Sequence, residues 1–261
     1  MSIDRTPDPA GWRPATRLVR GGTTRTPFAE TSEALFLNSG YVYESAEEAE
    51  AAFSGGLERY VYSRYANPTL SMLEERLRLI EGAEACRTTA SGMAAVFAAL
   101  MCQLKAGDRV VAARALFSSS LYILCELLPR FGVEAELVDA ADLAQWEAAL
   151  ARPAACVLIE TPANPTLEIV DLAAVCRLAH KAGAKVIVDN VFATPILQRP
   201  LELGADIVVY SATKHFDGQG RCLGGAVLGD RSFVTETLLP FLRHTGPAMS
   251  PFNAWVLLKG L

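Results

Sequence analysis

A chain of 261 residues, 51% of them hydrophobic, is long enough for one large domain, or one domain plus part of a second, and too apolar to stay disordered. Its net charge of −5 argues against nucleic acid or an anionic membrane surface as the main partner. No apolar run approaches the ~20 residues that span a bilayer, and Met1 to Pro9 hold no signal-peptide core, so a cytoplasmic protein is expected.

Residues 1–65 are rich in Gly, Pro, Thr and Glu and read as an extended arm with one helix over Ala46 to Phe53. From Asn67 the pattern becomes regular. Leu70, Leu73, Leu77 and Ile80 predict a helix over Thr69 to Ile80, and Ser91 opens an apolar helix through Leu104. Strands and helices then alternate. The expected strands are 110–112, 134–138, 155–160, 184–189, 206–210 and 225–228, and the expected helices 119–131, 143–150 and 172–182. Near-continuous apolar strands between amphipathic helices predict an α/β fold with a mostly parallel sheet covered on both faces. Ligands of such sheets bind beyond the carboxyl ends of the strands.

The residues with chemistry fall at those ends. Lys214 follows the strand 206–210, flanked by Ser211 and Thr213, and Asp189 ends the strand 184–189. Pyridoxal phosphate needs such a set. A lysine captures the aldehyde, an acid keeps the pyridine nitrogen protonated, and hydroxyls donate to the phosphate. Ser91-Gly92-Met93 joins a loop to a helix, where free amides bind an anion. Arg64, among Tyr60, Tyr62 and Tyr65, can grip phosphate oxygens in a fork. Asn164, in a loop fixed by Pro162 and Pro165, can meet a ring hydroxyl. Taken singly, each also reads as ordinary structure: a surface lysine, a helix cap, a stacked Arg–Tyr pair, a rigid turn.

Other chemistries find no support. There is no P-loop, and Gly218-Gln219-Gly220 has Leu223 where a dinucleotide fingerprint needs glycine. The six cysteines show no C-x-x-C spacing, and His180, His215 and His244 are dispersed, so no metal site is expected. Cys222, close to the lysine, is the one thiol near the candidate chemistry.

Five stretches, in this order, resemble the cystathionine/methionine-metabolism family of pyridoxal-phosphate enzymes, of fold type I. They are Tyr62 to Thr69, Ala90 to Met93, Glu160 to Pro165, Val188 to Asn190 and Ser211 to Lys214, within a likeness that runs from about Thr16 onward. The resemblance implies a large cofactor domain with a seven-stranded-type sheet. Residues 1–65 would be an arm toward a neighbouring subunit, 66–245 the cofactor domain, and 246–261 the start of a small domain otherwise absent. It makes Lys214 the lysine that bonds the cofactor and the catalytic base, and Asp189 the partner of the ring nitrogen. Ser91, Gly92, Met93, Ser211 and Thr213 would hold the phosphate, and Asn164 the ring hydroxyl. Tyr62 and Arg64 would reach the phosphate of the neighbouring subunit, implying a homo-oligomer, a dimer of dimers, with shared sites.

The stretch Asp217 to Gly225 looks like the O-succinylhomoserine sulfhydrylase branch, with sulfide and an amino-acid ester as small-molecule substrates. Cystathionine γ-synthase, or γ-lyase action on methionine or cystathionine, is the alternative within the family. A non-catalytic fragment is the alternative outside it. Phe117 stands where much of the family has a tyrosine on the ring, which keeps the stacking face and loses the phenol. The arginine that in the family binds the substrate carboxylate has no counterpart, and the pattern stops mid-helix at Leu261, so a truncated chain is expected. That last helix, Pro251 to Leu261, leaves little polar face and is expected to need a partner surface.

Overall fold

The computed structural model describes residues 11–261, so the signal-peptide reading of Met1 to Pro9 lies outside the described residues. Seven strands build one sheet: β1 (Ala85–Thr89), β2 (Arg109–Ala113), β3 (Glu134–Val138), β4 (Cys156–Glu160), β5 (Lys185–Asp189), β6 (Ile207–Ser211) and β7 (Gly225–Gly229). Their order is β1-β7-β6-β5-β4-β2-β3. Every pairing from β3 across to β6 is parallel, and β7 alone runs the other way, antiparallel to both β6 and β1. The expected α/β class and mostly parallel sheet are therefore what the chain forms.

The helices are α1 (Pro14–Arg20), α2 (Ala46–Phe53), α3 (Pro68–Glu81), α4 (Gly92–Met101), α5 (Ser118–Tyr122), α6 (Leu143–Ala149), α7 (Leu172–Lys181), α8 (Thr194–Leu197), α9 (Leu239–Thr245) and α10 (Pro251–Gly260). Alternation along each strand decides which helices cover which face. Val110, Ala112, Leu158, Ile187, Ile207 and Val227 share one buried cluster with α4. Their neighbours point the other way. Val111, Val157, Ile159, Val186 and Val188 pack with α6 and α7, while Val208, Tyr210, Ala226 and Leu228 pack with α3 and α10.

Local chemistry sets the helix ends. Ser45, Asn67, Asp142, Asp171 and Ser250 each accept a first-turn amide, and Gly82 closes α3 in the left-handed conformation at φ 82°. Three elements depart from the pattern reading. The helix expected over 119–131 holds α geometry only to Tyr122, widens to a π turn over Ile123–Leu127 and tightens to 3₁₀ over Leu128–Phe131. Pro129 has no N–H to give an α-helical bond there. The α4 helix stops at Met101 rather than Leu104. Strand β1 escapes the reading because Arg87, Thr88 and Thr89 break its apolar run, yet it forms the edge beside β7.

The apolar last helix finds the partner surface it was expected to need within the chain itself, on α3. Ala254, Leu257 and Leu258 of α10 are buried with Leu70, Leu73 and Leu77 of α3, leaving Phe252 half exposed. Arg76 fastens this corner from inside. It donates to the carbonyls of Gly21 (2.8 Å) and Leu258 (3.0 Å), to Thr23 Oγ1 (3.1 Å) and to the Glu33 carboxylate. Burial pushes Glu33 upward, but bonds from Lys259 and Arg76 overcome it and hold the carboxyl at about 2. One buried guanidinium thus joins the arm, α3 and α10.

Candidate active site

The carboxyl ends of β4, β5 and β6 place Glu160, Asp189 and Ser211 along one edge of the sheet. Glu160 lies in register with Asp189, and Asp189 with Val209, two residues before Ser211. Ser211 in turn pairs with Gly225 of β7, whose other neighbour is Thr89 of β1. The start of α4 rests on this junction. A Cβ on Gly92 would stand 2.4 Å from Ser211 Cβ, and one on Gly225 would stand 2.2 Å from the Ser91 carbonyl oxygen. Only glycine allows the helix and strand ends to approach so closely.

Ser91 caps α4, its Oγ accepting the Ala94 amide at 3.2 Å. The first-turn amides of Gly92 and Met93 have no carbonyl below them to bond. The Ser211 hydroxyl beside them has no hydrogen-bond partner among the described residues. Two free amides, the positive end of a ten-residue helix and a free hydroxyl therefore converge on one point. That arrangement suits an anion. Thr213 is placed differently. Its hydroxyl donates to the Gly224 carbonyl (3.2 Å) and accepts the Gly224 amide (3.1 Å). Both bonds pin the 213–224 loop.

Asp189 accepts one bond, from the Val191 amide at 3.1 Å, on Oδ1. Desolvation, with the neighbouring Glu160 charge second, pushes its carboxyl up to about 7. Glu160 is 4% exposed and accepts from two separate segments: Phe117 N on Oε2 (2.5 Å) and Asn164 N on Oε1 (3.0 Å). The Phe117 ring remains 37% exposed and the Asn164 side-chain amide has no partner among the described residues. Both face outward from a backbone that Glu160 holds. The sequence signal for Glu160 was a carboxylate ending a wholly buried strand.

Lys214 sits in the turn after β6, exposed and free of any ion pair or hydrogen bond of its amine among the described residues. Met93 is partly buried against the α4 core. Tyr62 and Arg64 make no hydrogen bond to Asp189, Ser211 or Lys214 among the described residues, and Arg64 lines a pocket with Thr88, Pro247 and Met249. Arg64 stacks on the rings of Tyr62 (5.2 Å) and Tyr65 (4.9 Å) and donates to the Arg243 carbonyl. Cys222 also stays apart, directed at the Asn253 carbonyl at 3.9 Å, and burial raises its thiol.

Three carboxyls raised by burial, Glu81, Glu160 and Asp189, predict a pH-dependent stability for the protein. Glu81 is pushed up to about 7 by burial, as Asp189 is. The unfolded values are roughly 4. Folding therefore favours the protonated forms, and that stability is full below pH ~4 and lost as pH rises through about 7. Glu33 titrates below this window. The thermal midpoint is expected to fall between pH 5 and pH 8, and to fall less in Asp189→Asn and in Glu81→Gln. A midpoint that rises over this interval in all three proteins would refute the assignment.

Residues 15–261 match the family described as Cys/Met metabolism PLP-dependent enzyme. The chain is 61% identical over 259 residues to an O-succinylhomoserine sulfhydrylase of Mycobacterium tuberculosis, covering 98% of this chain and 64% of that protein. An O-succinylhomoserine sulfhydrylase of Pseudomonas aeruginosa is 47% identical over 246 residues, covering 94% and 61%. A solved Campylobacter jejuni chain that carries N'-pyridoxyl-lysine-5'-monophosphate is 28% identical and superposes with a TM-score of 0.90, over 95% of this chain and 70% of that one. The chain thus spans somewhat under two thirds of the length of these two sulfhydrylases. It belongs to the Cys/Met metabolism family of pyridoxal-phosphate-dependent enzymes.

Proposed function

We propose that this protein exchanges the succinyloxy group of O-succinyl-L-homoserine for sulfide, giving L-homocysteine and succinate. The observation that carries the reading is the 61% identity, across 98% of the chain, to the sulfhydrylase of M. tuberculosis. The loop Asp217 to Gly225 accords with it. The Asp217 carboxylate accepts the Arg221 amide and its Nε (2.8 Å), which fixes the loop between two glycines at φ 68°.

The residues at the strand ends fit pyridoxal phosphate. The amides of Gly92 and Met93 and the Ser211 hydroxyl would take the phosphate, with Ser91 shaping the turn. Asp189 would meet the ring nitrogen, Asn164 the ring hydroxyl and Phe117 one ring face. When bound, the group supplies an aldehyde that captures amines and a ring that accepts the electron pair left at Cα. Asp189 would do its part as a carboxylate whose charge and hydrogen bond hold a proton at the ring nitrogen. Lys214, unentangled and at the site mouth, is the amine for the aldehyde. Once the substrate amine has taken its place, its Nζ is free to carry the Cα proton. Phe117 offers a face without a phenol, so it cannot share that task. Thr213, which pins the loop through Gly224, would also lie beside the phosphate. Tyr62 and Arg64 would serve the site of a neighbouring subunit in a dimer of dimers.

The test is product analysis on the purified protein. O-Succinyl-L-homoserine with sulfide should yield homocysteine and succinate in equal amounts, and O-acetyl-L-homoserine should turn over at least ~10-fold less efficiently, the range a few changed contacts provide. Faster release of a 2-oxo acid in the absence of sulfide would assign the protein to γ-elimination instead.

A further inference from the structure

We infer that Glu160 is a positioning residue of the cofactor site: its single buried carboxylate fixes the backbone under Phe117 and Asn164 and places a second negative charge beside Asp189. The inference rests on the reading of the site given above. Three observations carry it. Glu160 is almost fully buried at the end of an apolar strand, where an unpaired charge is costly. Its two oxygens are divided between two segments, 43 and 4 residues away in sequence. And its strand register puts it next to Asp189 on the same face of the sheet, since residues paired across parallel strands point the same way.

The division of oxygens matters chemically. Phe117 precedes α5 with no side chain capping that helix, and Asn164 sits in a proline-bounded loop. The Phe117 carbonyl accepts from Ser120 N (2.9 Å) and Leu121 N (3.1 Å), while its N–H, like that of Asn164, is given to Glu160. Burial raises the Glu160 carboxyl on balance, and the charge-assisted bonds from the two amides oppose that shift and favour the ionised form. In its ionised form Glu160 acts on its neighbour. The titratable groups bearing on Asp189 from the adjacent strands are Glu160 on β4 and the Tyr210 phenol on β6. With Glu160 charged, the proton shared between Asp189 and a ring nitrogen is held to higher pH. A neutral amide at position 160 removes that charge. It also cannot accept at both ends, because its NH₂ faces one of the two amide N–H groups.

The experiment is a pH series of cofactor affinity, by absorbance titration with pyridoxal phosphate, on wild type, Glu160→Gln, Asp189→Asn, Lys214→Ala and Val157→Ala. Val157→Ala truncates the core of the same strand without a polar role and controls for lost stability. Glu160→Gln is expected to weaken binding about 10-fold and to shift the alkaline limb of the affinity profile down by roughly one pH unit. Val157→Ala should leave that limb in place. A limb that moves equally in Val157→Ala, or that stays fixed in Glu160→Gln, would overturn the inference. If Asp189→Asn and Lys214→Ala also bind as wild type does, the site reading itself fails. If those two weaken and Glu160→Gln does not, only the role of Glu160 fails.

Discussion

Lys214→Ala is expected to lose turnover by at least ~10⁴-fold, since one group is asked both to capture the cofactor and to move the Cα proton. The bound cofactor's visible absorbance should go with it. The chain has five lysines, and position separates them. Lys105 and Lys185 lie at the amino ends of β2 and β5, away from the edge that carries Asp189. Lys181 ends α7, and Lys259 is paired with Glu33. Only Lys214 follows the carboxyl end of a strand, one residue past Thr213, with its amine free. Being exposed and unpaired, it contributes little to the fold, so the variant's stability should stay within about 0.5 kcal/mol of wild type. Lost chemistry with retained stability is the signature sought. Borohydride reduction followed by peptide mapping gives the decisive reading, and an adduct on any other lysine would contradict the assignment.

The sheet was legible because its interior strands carry apolar side chains on both faces. Val157-Leu158-Ile159 and Val186-Ile187-Val188 are unambiguous as sequence, and each residue proves buried between helices. Strand β1 was not legible, because an edge strand with one neighbour tolerates Arg87 and two threonines. The break at Tyr122 was hidden by a helical apolar period that continues past the point where Pro129 changes the geometry. At the proposed site, residue types and order pointed to Lys214, Asp189 and the Ser91–Met93 turn, whose proposed chemistry lies in the residue itself or its place at a strand end. Contacts between remote segments were not legible. Nothing in the sequence says that Glu160 reaches Phe117, 43 residues away, or that Thr213 bonds to Gly224. Nor does it say that α10 lies on α3, which is why its apolar face read only as needing a partner surface.

Gly92→Ala separates the packing of the anion cradle from its chemistry. As the first residue of α4, position 92 should welcome alanine, which is better than glycine in a helix by up to ~1 kcal/mol. The structure predicts the opposite sign. The added methyl would stand 2.4 Å from Ser211 Cβ and 2.8 Å from both its Cα and its Oγ. Ser211 cannot retreat easily, since β6 is paired to β7 along its length. Relief must come from the first turn of α4 moving off the sheet, at a cost of about 1–3 kcal/mol, as overpacked cores show. That movement carries the Gly92 and Met93 amides away from the Ser211 hydroxyl, so pyridoxal phosphate affinity should fall at least ~10-fold through lost hydrogen bonds to the phosphate. The double variant Gly92→Ala/Ser211→Gly splits the two effects. Removing the serine Cβ and Oγ takes away two of the three close contacts, so the thermal midpoint should recover part of its loss, while affinity stays low without the hydroxyl. Wild-type affinity in Gly92→Ala would mean that the phosphate is held elsewhere. Recovery of affinity together with stability in the double variant would mean that Ser211 contributes packing alone.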